Sequence, residues 1–154
     1  MTVACVISPR FRLMAALEGR RELLRGPAAL TPEPGAAQLI GEVSAPAERL
    51  GVRAGMRLGE ALTRCPELAL VPSDAERAER DWERVLRGLE GIGAAVESER
   101  AGEAFFEAEG LRGLWGGDRG VLERALEAAG IPVLAAAAPS RFCAYAAAAG
   151  LRAA

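Results

Sequence analysis

The segment from Ala47 to Val71, AERLGVRAGMRLGEALTRCPELALV, constrains this chain most. Gly51 and Gly55 punctuate the connection between two short helical stretches, Ala45–Leu50 and Leu58–Arg64, and Pro66 closely follows the second. A short strand-like run, Leu68–Val71, comes next. Ser73 or Asp74 can then cap a helix reaching about Leu89. That helix places Ala75, Ala78, Trp82, Val85, Leu86 and Leu89 at helical spacing, an apolar stripe that needs a partner. A stretch broken this often cannot be one long element. It predicts a small lobe of short pieces feeding a long amphipathic helix.

The rest of the chain alternates strand-like and helix-like runs. Thr2–Ser8 (TVACVIS) is β-branched and almost continuously apolar, and predicts a buried central strand that ends at Pro9. Phe11–Leu24 carries Leu13, Leu17 and Leu24 between arginines and glutamates, as an amphipathic helix does. Pro27–Thr31 and Gln38–Val43 are short strand candidates on either side of the turn-rich Pro32–Gly35. Ala94–Glu99 and Glu103–Glu109 read as a hairpin turning at Ala101–Gly102. Asp118–Ala129 reads as a helix ended by Gly130, Pro132–Ala138 as the last strand, and Ser140–Leu151 as a closing Ala-rich helix. With a lobe over 19–71 set aside, residues 1–18 and 72–154 follow the order β-α-β-β-α-β-α. The simplest architecture for that order is a split β-α-β core of the α+β class. Strands near Ala4–Ile7, Ala94–Glu99, Phe105–Glu109 and Val133–Ala137 are expected in one mostly antiparallel sheet. The helices at Ala75–Leu89 and Val121–Ala129 are expected on one face of it.

Composition removes several function classes. The chain has 154 residues, 51% of them hydrophobic, enough for one domain with a full core. Its 19 cations are all arginine and face 21 carboxylates, for a net charge of −2, so bulk charge makes no case for nucleic acid. Cys5, Cys65 and Cys143 are widely spaced and no histidine is present, which argues against a zinc site and against a disulfide framework. Cys5 and Cys143 lie in apolar runs and read as small core residues. No apolar run reaches membrane-spanning length. The chain reads as soluble and cytoplasmic.

Local motifs resemble those of the Y-family (UmuC/DinB-like, translesion) DNA polymerases. RELLRGPAAL (Arg21–Leu30) is similar to the entry into that family's fingers, and GVRAGMRLGEAL with CPEL to its Gly-Val-x-x-Gly-Met…Cys-Pro-x-Leu segment. Glu103-Ala104-Phe105 resembles half of its Asp-Glu-Ala-Phe strand. GIPVLAAAAPSRFCAYAA (Gly130–Ala147) resembles its closing strand and helix. The resemblance runs nearly end to end. It implies a ferredoxin-like palm, an antiparallel sheet with helices on one face, and a small inserted helical and β fingers lobe.

The resemblance breaks at the chemistry. Nucleotidyl transfer uses two divalent cations roughly 4 Å apart, and hard cations of that kind need carboxylate oxygens. The family's two first-strand Asp positions match Pro9 and Phe11, and the Asp of its hairpin pair matches Gly102. Only Glu103 survives, as a vestige. In the nucleotide pocket, Ala45 and Glu48 match the family's triphosphate-binding Tyr and Arg, Met14 matches the aromatic steric gate, and Arg141 and Tyr145 match two Lys positions. A carboxylate at 48 repels a triphosphate. The pattern implies no bound metal and no cofactor, and leans away from enzyme activity. It is most similar to the ImuB-type accessory subunits, which support a separate polymerase in DNA repair and damage tolerance. Implied partners are another polymerase subunit or repair protein, and DNA held weakly. Two alternatives stay open: an active error-prone polymerase fragment using Mg²⁺, and a stand-alone interaction domain.

Remaining features have plainer readings beside functional ones. Arg77, Arg80, Arg84 and Arg87 share a helix face, either as a phosphate stripe or as a solvated face laced by pairs such as Glu76–Arg80 and Glu83–Arg87. Arg10, Arg12, Arg20, Arg21 and Arg25 make the N-terminal third locally basic. Glu103, Glu107 and Glu109 fall at even steps and are expected on one strand face, as a polar sheet edge. Trp82 and Trp115 read as packing residues, and Leu111–Gly117 as a loop.

Overall fold

The computed structural model describes residues 1–35 and 37–152. Ala36, inside the expected lobe, and Ala153 and Ala154, at the end of the expected palm, lie outside them. In chain order the elements are β1 (Val3–Ile7), α1 (Phe11–Ala16), β2 (Ala28–Leu30), α2 (Ala45–Arg49), α3 (Leu58–Arg64), β3 (Ala69–Val71), α4 (Ala75–Glu90), β4 (Glu97–Arg100), β5 (Glu103–Glu107), α5 (Arg112–Trp115), α6 (Gly117–Ala128), β6 (Leu134–Ala138) and α7 (Arg141–Leu151). They form two units. One is a sheet unit, Met1–Pro9 with Glu79–Ala154, and the other a lobe, Arg10–Ala78.

The sheet unit is built on β1, whose five residues are all buried. An apolar strand without alternation needs neighbours on both edges and cover on both faces. It has them: the strand order is β4-β5-β1-β6 and every pairing is antiparallel. Register assigns the faces. Cys5 stands opposite Phe105 and Ala136, and Ile7 opposite Glu103 and Leu134, so these share one face. Ala144 and Ala148 of α7 pack onto that face against Val3, Cys5 and Ile7. Ala4, Val6, Ala104 and Phe106 point the other way and are buried as well. Ser98 of β4 lies on that second side, where the Trp82 indole N–H of α4 donates to Ser98 Oγ at 2.8 Å. Helix α4 in turn lies against α6, so closely that a Cβ at Gly88 would collide with the Ala128 carbonyl oxygen. The expected antiparallel sheet with α4 and α6 on one face is thus the observed one, and α7 covers the other.

The lobe has its own cores. Leu13 and Leu17 join Ala28, Leu30 and Val71 in one cluster. Ala47, Val52, Ala61 and Cys65 join Ile40 and Val43 in another. Truncating a leucine as buried as Leu13 costs about 2–5 kcal/mol. Ser44 organises the centre of the lobe: it caps α2, its Oγ accepts from Ala28 N at 2.9 Å, and its hydroxyl donates to Gly26 O at 2.9 Å. At the far end of α2, Gly51 takes φ +87, its N–H donates to Glu48 O, and Val52 N donates to Ala47 O. Those paired bonds are a Schellman closure, and they explain why a glycine stands there. β2 and β3 form a two-stranded parallel pair.

Several local expectations are corrected. The helix expected over Phe11–Leu24 stops at Ala16 and resumes as a 3-10 turn, Arg21–Arg25, because Gly19 adopts φ +86 between them. Gln38–Val43 forms only isolated bridges at Leu39 and Val43. Its Gly41 lies against Leu30, where a Cβ would come within 3.0 Å of the leucine Cβ. Leu111–Gly117 is not a loop, since Arg112–Trp115 makes a helical turn. Cys143 is exposed rather than core, because the inward positions of α7 are Ala144 and Ala148. Glu109 leaves the strand face of Glu103 and Glu107, because β5 ends at Glu107 and a 3-10 turn begins at Glu109. Among the described residues no helix is long and apolar enough to cross a membrane.

Candidate functional site

Of the positions the resemblance gives to metal ligands, Pro9, Gly102 and Glu103 lie in the sheet unit and Phe11 lies in the lobe. Ile7 is paired with Glu103, and Ser8 N donates to Gly102 O at 2.8 Å, so β1 reaches the hairpin turn where Pro9 ends it. Gly102 sits in that turn at φ +96, a conformation that favours glycine. Glu103 is half-buried on the α7 face, with its Oε2 3.3 Å from Arg100 Nε. Burial, and after it the Glu103 charge, pushes the Cys5 thiol up to about 12. Pro9, Phe11 and Gly102 offer no side-chain oxygen. No group of three or more Asp, Glu, His or Cys side chains is placed to hold a metal ion among the described residues. This donor set does not fit a pair of divalent cations.

Arg141 and Tyr145 lie on α7, whose first turn is capped by Ser140 Oγ accepting from Cys143 N at 3.2 Å. Arg141 keeps its charge but spends it locally. It forms an ion pair with Glu97, and its guanidinium lies 5.2 Å from the centre of the Phe105 ring. Tyr145 is one turn further on and exposed.

Met14, Ala45 and Glu48 belong to the lobe. Met14 and Ala45 are half-buried, on α1 and at the first position of α2. Glu48 Oε1 is 3.1 Å from Arg10 Nη2. Arg10 adopts φ 63, the left-handed region unusual for a residue with a side chain, and its Nε donates to Val43 O at 2.9 Å. Glu42 Oε1 accepts from Leu13 N at 3.0 Å, at the start of α1. The carboxylates here close the lobe on itself. Sequence reasoning missed the Arg10–Glu48 pair, since residues that far apart announce no contact.

The arginine face of α4 is a solvated one. Arg77 pairs with Glu18 and Asp74, Arg84 with Asp81 at 3.7 Å, and Arg87 with Glu83 at 3.5 Å. Trp82 is buried. Trp115 is half-buried, donates to Ile92 O at 2.9 Å, and has Arg124 4.8 Å above its ring.

The model for the impB/mucB/samB family matches residues 10–149. The chain belongs to the impB/mucB/samB family. Among solved structures, DinB from Sulfolobus solfataricus superposes with a TM-score of 0.76 at 21% identity, over 94% of this chain and 44% of that one. An insertion ternary complex of Dbh DNA polymerase gives 0.76 at 20% identity, with the same coverage. A Y-family DNA polymerase chimera gives 0.72 at 20%, over 92% of this chain and 43% of that one. At these identities the likeness establishes the fold. The impB/mucB/samB chain spans less than half the length of these polymerases. No curated protein matches it significantly.

Proposed function

We propose that this impB/mucB/samB-family domain serves DNA damage tolerance in the cytoplasm as a non-catalytic, ImuB-like accessory module. It works beside a separate polymerase subunit or repair protein and touches DNA only weakly. The observation that carries this reading is the end of β1 against the β4–β5 hairpin. There Pro9 and Gly102 bring no side-chain ligand atoms, and the remaining carboxylate, Glu103, is held by Arg100. Glu48, engaged by Arg10, supports it from the lobe, because a triphosphate finds no cation at that position. The test is single-nucleotide extension of a primer-template in Mg²⁺ and in Mn²⁺, with a preparation shown free of host polymerase. No extension is expected. Template-dependent incorporation would promote the domain to an active error-prone polymerase.

A further inference from the structure

Arginine partners are unevenly shared along the fold. In the sheet unit Arg87, Arg112, Arg119 and Arg141 each meet a carboxylate. In the lobe Arg20, Arg21, Arg25 and Arg49 form no ion pair, side-chain hydrogen bond or ring contact among the described residues. All four are exposed. They also lie on neighbouring elements, because the 3-10 turn Arg21–Arg25 packs against α2. Leu23 and Leu24 of that turn pack onto the lobe core, which leaves the arginines outward. The nearest acids do not balance them. Glu18 is taken by Arg77 and Glu48 by Arg10, so Glu22 alone stands on the turn without a partner. Gly19 and Gly26 bracket the turn, and nothing lies where a Cβ would be at either, so the backbone there is open to approach.

We propose that this surface, formed by Arg20, Arg21, Arg25 and Arg49, is a site for the phosphodiester backbone of DNA. Clustered guanidinium groups repel one another when no anion lies between them, and a planar fork of donors suits phosphate oxygens. Four such groups on two elements match a row of charges better than a single phosphate. This deepens the accessory reading and rests on DNA being its partner. The contact carries no sequence information and needs no metal.

The test is fluorescence anisotropy with labelled single-stranded and duplex oligonucleotides at several salt concentrations. With four phosphate contacts the log–log salt slope is expected to be about −3.6 for duplex and about −2.8 for single strands. That is about a hundredfold loss of duplex affinity for a fourfold rise in salt. Arg21→Ala with Arg25→Ala should flatten the slope by about 2. Arg119→Ala with Arg124→Ala, on paired arginines of the sheet unit, should leave it unchanged. Far-ultraviolet circular dichroism and the melting temperature check that each exposed-site variant folds. The site is overturned if wild type does not bind, if both double variants lose affinity alike, or if polyglutamate competes as well as unlabelled DNA. Primer extension with the same preparations separates the two readings: incorporation by wild type would sink the accessory function and leave this surface standing.

Discussion

Glu48 and Arg10 meet at 3.1 Å, in a pair whose side chains are only 31% and 21% exposed. Partial burial makes such a pair costly to break from one side, because the survivor keeps its charge away from water. Glu48→Arg should therefore destabilise the protein by roughly 1–3 kcal/mol by setting two guanidinium groups together. Arg10→Glu with Glu48→Arg should recover part of that loss but not all of it, because the swap also removes the Arg10 Nε hydrogen bond to Val43 O. Chemical denaturation of the single and double variants measures both, and additive losses would show that the two residues do not couple.

Metal should not stabilise this protein. Mg²⁺ or Mn²⁺ at millimolar level is expected to leave the melting temperature unchanged, since a ligand raises it only by binding the folded state. A clear upward shift that disappears in Glu103→Ala would reveal a cation site at the β5 end.

Restoring carboxylates meets a backbone obstacle. Gly102 has φ +96, and Gly102→Asp forces a side chain into that conformation at a cost of about 1–3 kcal/mol. On the accessory reading, Asp at positions 9, 11 and 102 together should not yield dNTP incorporation, because Glu48 and Ala45 would still stand where the resemblance expects the triphosphate contacts. Calorimetry of Gly102→Asp and extension assays on the triple variant check the two halves of this statement.

The close seat of α4 on α6 depends on one missing methyl group. Gly88→Ala would drive its Cβ into the Ala128 carbonyl and should cost about 1–3 kcal/mol, although alanine is the better helix former. A variant more stable than wild type in urea would show that the two helices can part at no cost.

Alkaline stability follows from Cys5. Its folded value, about 12, lies above the ordinary 9.0 because of burial first and Glu103 second. Between those values the unfolded chain releases a proton that the folded chain keeps. Stability is therefore full below about pH 9 and falls as pH rises toward 12, by at most about 1.4 kcal/mol per pH unit. Cys65, also buried, is shifted the same way. Cys5→Ala should lessen the fall, as read from denaturation midpoints at stepped pH.

The legible parts of the fold were those with a local cause. The apolar run at Val3–Ile7 reads as an interior strand and Gly51 as a break between two short helices, and the structure has both. Helix α4 announced itself through its apolar stripe. What stayed hidden depended on tertiary partners. Gly19 could end α1 or be carried inside it, and its φ of +86 is set only on folding; that Gly41 lies against Leu30, eleven positions earlier, was equally hidden. At the candidate site, positions 9, 11, 48, 102 and 103 were pointed to by the motif resemblance alone. That Glu48 is answered by Arg10, Glu103 by Arg100 and Arg141 by Glu97 was not legible, because pairing of charges is decided by folding.

Helix α7 touches the sheet through methyl groups, Ala144 and Ala148, over Val3, Cys5 and Ile7. Side chains that short remove little apolar area from water compared with the tryptophan, valine and leucine of α4. The two sides of the sheet therefore differ in how readily they open. In native-state hydrogen exchange the amides of α7 should surrender protection through local opening, well before those of α4. The face of the sheet that bears Glu103 is therefore the side expected to be uncovered first when the fold opens locally.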